Sequence, residues 1–274
     1  MSTSREQKNE FFDDMKSVQK CGISFTQNSR FRRSMEDEHI VVDNFGERED
    51  QGFFAIYDGH GGTKASSFCK EKVHNEFLRL LEEKQPLNSE KTATIPEIFS
   101  QTFSNIDTKL KEENPKDSGS TAVVSFIRKE QESRFLYTSN IGDARAVICR
   151  DGVAKRLSED HKASVKSEQE RIQKAGGFVF NNRVVGMIAI TRSFGDHSMK
   201  EMIINTPYNS KIELKESDSF LILACDGLWD VVDDQKAVDL VKDMNDPLEM
   251  SKKLLNSALE GGSTDNISIM TILL

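Results

Sequence analysis

Gly52-Phe53-Phe54-Ala55-Ile56-Tyr57-Asp58-Gly59-His60-Gly61-Gly62 is an apolar run that stops on a carboxylate and a cluster of glycines. Its first six residues favour a strand, because aromatic and branched side chains pack well on a pleated surface. The strand would hold the Asp58 carboxylate in place, while Gly59 leaves room for carbonyls and waters to approach a cation. Immediately downstream, residues 63–83 carry Ala65, Phe68, Val73, Phe77, Leu78 and Leu81 at three- and four-residue steps, which predicts an amphipathic helix.

Working outward, short β-favouring runs at residues 22–26 and 39–42 precede this stretch, and the first twenty residues read as a loose tail. After the first helix, Thr94-Ile95-Pro96-Glu97 offers a capping hydroxyl, an early proline and a glutamate three residues on, announcing a second helix to about Glu113. The runs 121–128, 134–140 and 144–149 return to strand character as an expected meander, with Gly142-Asp143 and Asp151-Gly152 as tight turns. Residues 164–175 are helical and closed by Gly176-Gly177, and 178–190 should be extended; together they form an inserted segment at about 164–190. A buried strand at 219–225, helices at 233–244 and 247–259 and a last strand at 266–274 complete the order. One domain over residues 21–274, with two sheets covered by helices, is the expected organisation.

With 36% hydrophobic and 30% charged residues, a chain of 274 can bury a sizeable core under a charged surface. A net charge of −8 disfavours nucleic acid and anionic lipid, both of which need a basic footprint. Apolar runs such as 220–225 are far too short to cross a bilayer, residues 1–19 lack the apolar core of a secretion signal, and Met1-Ser2 lacks the glycine needed for myristoylation. Cys21, Cys69, Cys149 and Cys225 are scattered without C-x-x-C spacing, which argues against disulfides and zinc. The expectation is a monomeric cytoplasmic protein, with the nucleus as an additional compartment.

Acidic residues recur where strands meet turns: Glu36-Asp37, Asp58-Gly59, Asp226-Gly227 with Asp230, and Asp265-Asn266. Were they to converge, their repulsion would raise their pKa values unless divalent cations neutralised them. Carboxylates and carbonyls suit Mg²⁺ or Mn²⁺, and the five histidines form no H-x-x-x-H pair that would favour zinc.

Five motifs in order, Arg32-Arg33-Ser34-Met35-Glu36-Asp37, Asp58-Gly59-His60-Gly61-Gly62, Ser118-Gly119-Ser120-Thr121-Ala122, Asp226-Gly227-Leu228-Trp229-Asp230 and Asp265-Asn266, resemble those of the type 2C metal-dependent protein phosphatase (PPM) family. Ile141-Gly142-Asp143-Ala144-Arg145 and Thr191-Arg192-Ser193-Phe194-Gly195-Asp196 lie between them, and the likeness runs from about Cys21 to the end. The resemblance implies an α+β fold: a central β sandwich of two antiparallel sheets flanked by antiparallel helix pairs, with metals in a cleft at one end. It implies hydrolysis of phosphoserine and phosphothreonine on phosphorylated proteins by a water activated between two Mg²⁺ or Mn²⁺ ions, without a phosphoenzyme. Carried over by position, Asp58 bridges the ions, Gly59 offers its carbonyl, Asp226 and Asp265 ligate, and Glu36 and Asp37 hold bound waters. Arg32 clamps the phosphate, with Arg33 as the register alternative, and His60 is the general acid. A third, weaker ion is assigned to Asp117.

Plainer readings stand beside these. Asp151-Gly152 is a turn, Trp229 fills core volume, Asp143 and Asp196 are read as turn and network residues with metal ligation as the alternative, and Asp230 as a neighbour of the ligands. Residues 178–187 resemble the family's variable flap, with a buried strand as the alternative, and Asn205-Thr206-Pro207-Tyr208 departs from the Glu-Pro-Glu-like stretch of many relatives. A pseudophosphatase that binds phosphoproteins as a scaffold and a hydrolase of phosphodiesters are the competing functions. A cysteine-phosphatase mechanism needs arginine six residues after the thiol, where this chain has Gln27, Asn75, Lys155 and Val231.

Overall fold

A computed structural model describes residues 7–85, 93–113 and 118–274. The opening strand, Gln51–Tyr57, is buried along its whole length. Because successive side chains point to opposite faces, Phe53, Ala55 and Tyr57 join one apolar cluster and Phe54 and Ile56 another. A strand covered on both faces loses the polar alternation of a surface strand, which is why this run reads as unbroken hydrophobicity.

The strand belongs to a five-stranded antiparallel sheet in the order Tyr208–Glu213, Ser133–Ile141, Ala122–Glu130, Gln51–Tyr57, Glu38–Asp43. The second sheet has six antiparallel strands in the order Lys8–Phe12, Lys20–Thr26, Ile267–Leu273, Asp218–Ala224, Arg145–Arg150, Val153–Arg156. Between the sheets lie Phe54, Ile56, Val123, Ile148, Leu223 and Met270. Helices Lys64–Lys84 and Ile95–Glu113 cover the first sheet, where Phe77 stacks on Phe99 at 4.4 Å and meets Phe126 edge-on at 5.1 Å. Asp234–Val241 and Pro247–Glu260 cover the second. The result is the expected layered α+β sandwich.

Local signals are met in detail. Thr94 Oγ1 accepts from the Glu97 amide at 3.4 Å while Glu97 Oε2 accepts from the Thr94 amide at 2.7 Å, a reciprocal cap of the second helix. Asp246 caps the helix that begins at Pro247, and Asp151-Gly152, both at positive φ, turns the chain between two paired strands.

Three expectations are corrected. The segment preceding Cys21 is not all loose: Lys8–Phe12 pairs with Lys20–Thr26 at the sheet edge, where exposed side chains leave no hydrophobic pattern to read. The run from residue 121 to 149 is not one meander. Ser133–Ile141 pairs within the first sheet, then Gly142, at φ +81°, and Asp143 carry the chain across to the second. Residues 178–190 do not form one extended strand; Val179–Phe180 pairs with Arg183–Val184 around Asn181-Asn182, leaving Phe178, Phe180 and Met187 exposed. Gly176, at φ +82°, closes the preceding helix Lys166–Lys174, as the sequence indicated.

Candidate metal-binding active site

Each acidic motif sits at the same end of the sandwich because each terminates or precedes a strand there. Asp58 follows Gln51–Tyr57, Asp143 follows Ser133–Ile141, Asp226 follows Asp218–Ala224, and Asp265 precedes Ile267–Leu273. Glycine permits the close approaches that draw them together. A Cβ on Gly59 would stand 2.4 Å from the Glu36 carbonyl oxygen, and one on Gly227 would stand 2.0 Å from that of Asn266. Asn266 also joins distant segments, since its Oδ1 accepts from the Glu36 amide at 2.9 Å and its Nδ2 donates to the carbonyls of Gln27 and Ser34.

Two ligand groups overlap. One ligand atom each from Asp37, Asp58 and Cys225 lies within 4.8 Å of the others, and so do those from Asp58, Asp143 and Asp226. Asp58 is common to both. Asp265 and Glu36 lie outside these triads. Asp265 Oδ2 is bonded to Arg32 Nη2, and Glu36 accepts from Gly62 N at 3.0 Å and from Ser34 Oγ at 2.7 Å.

The electrostatics are those of carboxylates held together against their repulsion. Burial first, then the charges of Asp226, Asp37, Asp143 and Asp265, hold the Asp58 carboxyl well above the ordinary 3.8. Asp226 is raised in the same way by burial and then by Asp143, Asp265 and Asp230. Burial pushes Asp37 up to about 7 against the hydrogen bond from Ser268, and Asp143 to about 6 against the charge of Lys162. Asp265 is raised by burial, with Arg32 opposing. Such a donor set, hard oxygens that prefer protons to isolation, fits a divalent hard cation. The Cys225 thiol is turned to other work, accepting from the Ser268 amide at 3.2 Å and donating to the Asn266 carbonyl at 3.5 Å.

His60 reaches the site through a small three-stranded sheet. Gly59–His60 pairs with Gly119–Ser120, which pairs in turn with Phe194–Gly195. Three motifs far apart in sequence thereby become neighbours. Residues 21–267 match the family described as protein phosphatase 2C. The chain is 40% identical over 268 residues to protein phosphatase 2C homolog 1 of Saccharomyces cerevisiae, covering 93% of each. The chain belongs to the protein phosphatase 2C family. The like-named protein of Schizosaccharomyces pombe is 42% identical over 256 residues, 92% of this chain and 72% of that one. In fold, a Toxoplasma gondii serine-threonine phosphatase 2C superposes with a TM-score of 0.81 at 22% identity, over 97% of this chain and 98% of the other.

The geometry of this 2C phosphatase refines the sequence reading. Asp143, for which the sequence favours a structural role over ligation, enters a ligand triad with Asp58 and Asp226. Its signal was a strand ending beside a glycine and an aspartate, in the reverse order of Asp58-Gly59 and Asp226-Gly227. Lys162 bonds Asp230 at 2.6 Å and stands 3.5 Å from Asp143, which puts Asp230 at the edge of the site. Trp229 packs in the core and donates to the Ala224 carbonyl, as expected. Arg33 is exposed, and Asp117 lies outside the described residues.

Proposed function

We propose that this 2C phosphatase hydrolyses phosphoserine and phosphothreonine on proteins with two Mg²⁺ or Mn²⁺ ions held around Asp58. The observation that carries the reading is that one half-buried carboxylate, Asp58, belongs to two ligand triads at once. Asp58, Asp226 and Asp265, with the Gly59 carbonyl, would hold the ions, Glu36 and Asp37 would hold their waters, and Asp143 extends the set toward a third, weaker position. Bound there, the ions supply Lewis acidity and lower the pKa of water.

The chain's own groups do the rest. Arg32, half-exposed beside Asp265, can turn its remaining donors to a phosphate, a charge-assisted pairing suited to guanidinium. His60 donates a proton to the departing serine or threonine oxygen, a poor leaving group without it. No covalent step is needed, since the one thiol in the cluster is fully buried and hydrogen-bonded. The complete acidic set speaks against a phosphoprotein-binding pseudophosphatase. The net charge of −8 supports the absence of nucleic acid and anionic membrane partners; a monomer acting in the cytoplasm and nucleus is the accompanying proposal.

Turnover of a phosphothreonine peptide, measured in chelator and after adding Mn²⁺ or Mg²⁺, tests the proposal. Loss in chelator and recovery with either ion is expected; full turnover in chelator, or a preference for phosphodiesters, would reject it.

A further inference from the structure

The side chain of Asp196 is buried, and the backbone is left-handed there at φ +49°. Left-handed geometry suits glycine best and is tolerated by aspartate, as at Asp151. Here Asp196 Oδ2 accepts from His60 Nε2 at 2.8 Å and from the Ser193 hydroxyl. The bond turns Nε2 toward this carboxylate and leaves Nδ1 as the ring nitrogen that can meet other groups. Among the described residues Nδ1 has no hydrogen-bond partner, and the His60 side chain is 30% exposed.

The surrounding backbone is shaped to this contact. A Cβ on Gly119 would fall 2.2 Å from His60 Nε2 and 2.3 Å from Asp196 Oδ2, so the strand between them passes without a side chain. Gly195, at φ +74°, lies where a Cβ would fall 2.0 Å from the Ser118 carbonyl oxygen. Asp196 also begins the short 3₁₀ turn His197–Met199, whose Met199 amide donates to its carbonyl at 2.9 Å.

We propose that Asp196 is a positioning residue: it holds the ring of His60 in one orientation, with Nε2–H bonded to the carboxylate, so that the acid form of the ring presents its Nδ1–H to the substrate's leaving oxygen. The inference rests on the general-acid role given to His60 above. Ser193 fixes the carboxylate in turn, giving a relay of orientation from the strand Phe194–Gly195 to the catalytic ring.

Single and double variants, His60→Ala, Asp196→Ala, Asp196→Asn and the pair His60→Ala with Asp196→Ala, are compared on a phosphoserine peptide and on p-nitrophenyl phosphate, whose leaving group needs little protonation. Each variant is checked by circular dichroism and by its Mn²⁺ saturation curve. Asp196→Ala should lower kcat on the peptide at least about tenfold, well within the range of general acid catalysis, and lower it on p-nitrophenyl phosphate less than about threefold. Mn²⁺ saturation should be unchanged, and the double variant should be no slower than His60→Ala alone. If His60→Ala slows both substrates equally, the general-acid reading fails. If His60→Ala discriminates between them but Asp196→Ala does not, or the double losses multiply, the positioning role fails while the acid stands. Should Asp196→Ala not fold, Asp196→Asn decides by the same ratio: equal loss on both substrates overturns the proposal.

Discussion

Glu168 Oε1 accepts a hydrogen bond from Arg192 Nη2 at 2.7 Å, tying the helix of the inserted segment to the loop that leads into Asp196. The same carboxylate also takes Arg171 at 2.9 Å and the Thr191 hydroxyl at 2.6 Å, while its side chain is 4% exposed. Removing one partner from a buried charged network leaves the others uncompensated. Glu168→Ala should therefore cost on the order of 3 kcal/mol of stability, read as a lower urea midpoint.

Acid exposes the same pair. Burial opposes the Glu168 charge, but bonds from Arg192, Arg171 and Thr191 prevail and bring it down to about 2 from an ordinary 4.5. A lowered pKa means stability present above pH 4.5 and lost as pH falls toward 2. Thermal melts of wild type should fall through that window, and those of Glu168→Gln should fall less; parallel curves would contradict the assignment.

The metal cluster has the opposite sign. Asp37 and Asp143 are raised to about 7 and about 6, so metal-free protein is favoured while they keep their protons and loses that stability as pH rises through those values. Mn²⁺ should consequently raise Tm more at pH 7.5 than at pH 5. Asp226→Asn should melt higher than wild type in chelator yet gain little from Mn²⁺ and lose activity, and a lower melt in chelator would argue against stored repulsion.

Phe77→Ala should cost about 3–5 kcal/mol, as for a fully buried aromatic side chain, because four other rings, Phe45, Phe53, Phe99 and Phe126, contact it. Denaturant unfolding measures the loss. Folded enzyme should keep its kcat, since this cluster lies between sheet and helices.

Gly119→Ala should separate His60 from Asp196, given the 2.2 and 2.3 Å approaches of the added carbon. Its peptide turnover should fall at least about tenfold, in the general-acid range, with Mn²⁺ saturation preserved. Unchanged turnover would mean the ring does not need that seat.

What could be read in the chain followed from local chemistry. Residues 51–57, the Thr94 cap and the Asp246 cap each carry their signal within a few positions, and the acidic motifs announce themselves at strand ends. Asp143 stayed between a structural and a ligand reading because a glycine-aspartate pair looks the same whether it closes a hairpin or crosses between sheets, and the choice is made by partners distant in sequence. Lys8–Phe12 escaped because four of its five side chains are exposed, and the groups that Asn9 and Glu10 meet, Ser24 and His39, lie further along the chain. The His60 and Asp196 contact spans 136 positions and rests on the bare backbone of Gly119, which nothing near either residue reveals.

Asp58 is delivered by one sheet and Asp226 by the other, so the jaws of the proposed clamp would be the two leaves themselves. Their spread is set by what fills the seam, Phe54, Ile56, Leu223 and Met270 among them. In the proposed site, ion size would then answer to the apolar interior: a bulkier side chain in that seam should favour larger cations and a slimmer one smaller cations, without any ligand being touched.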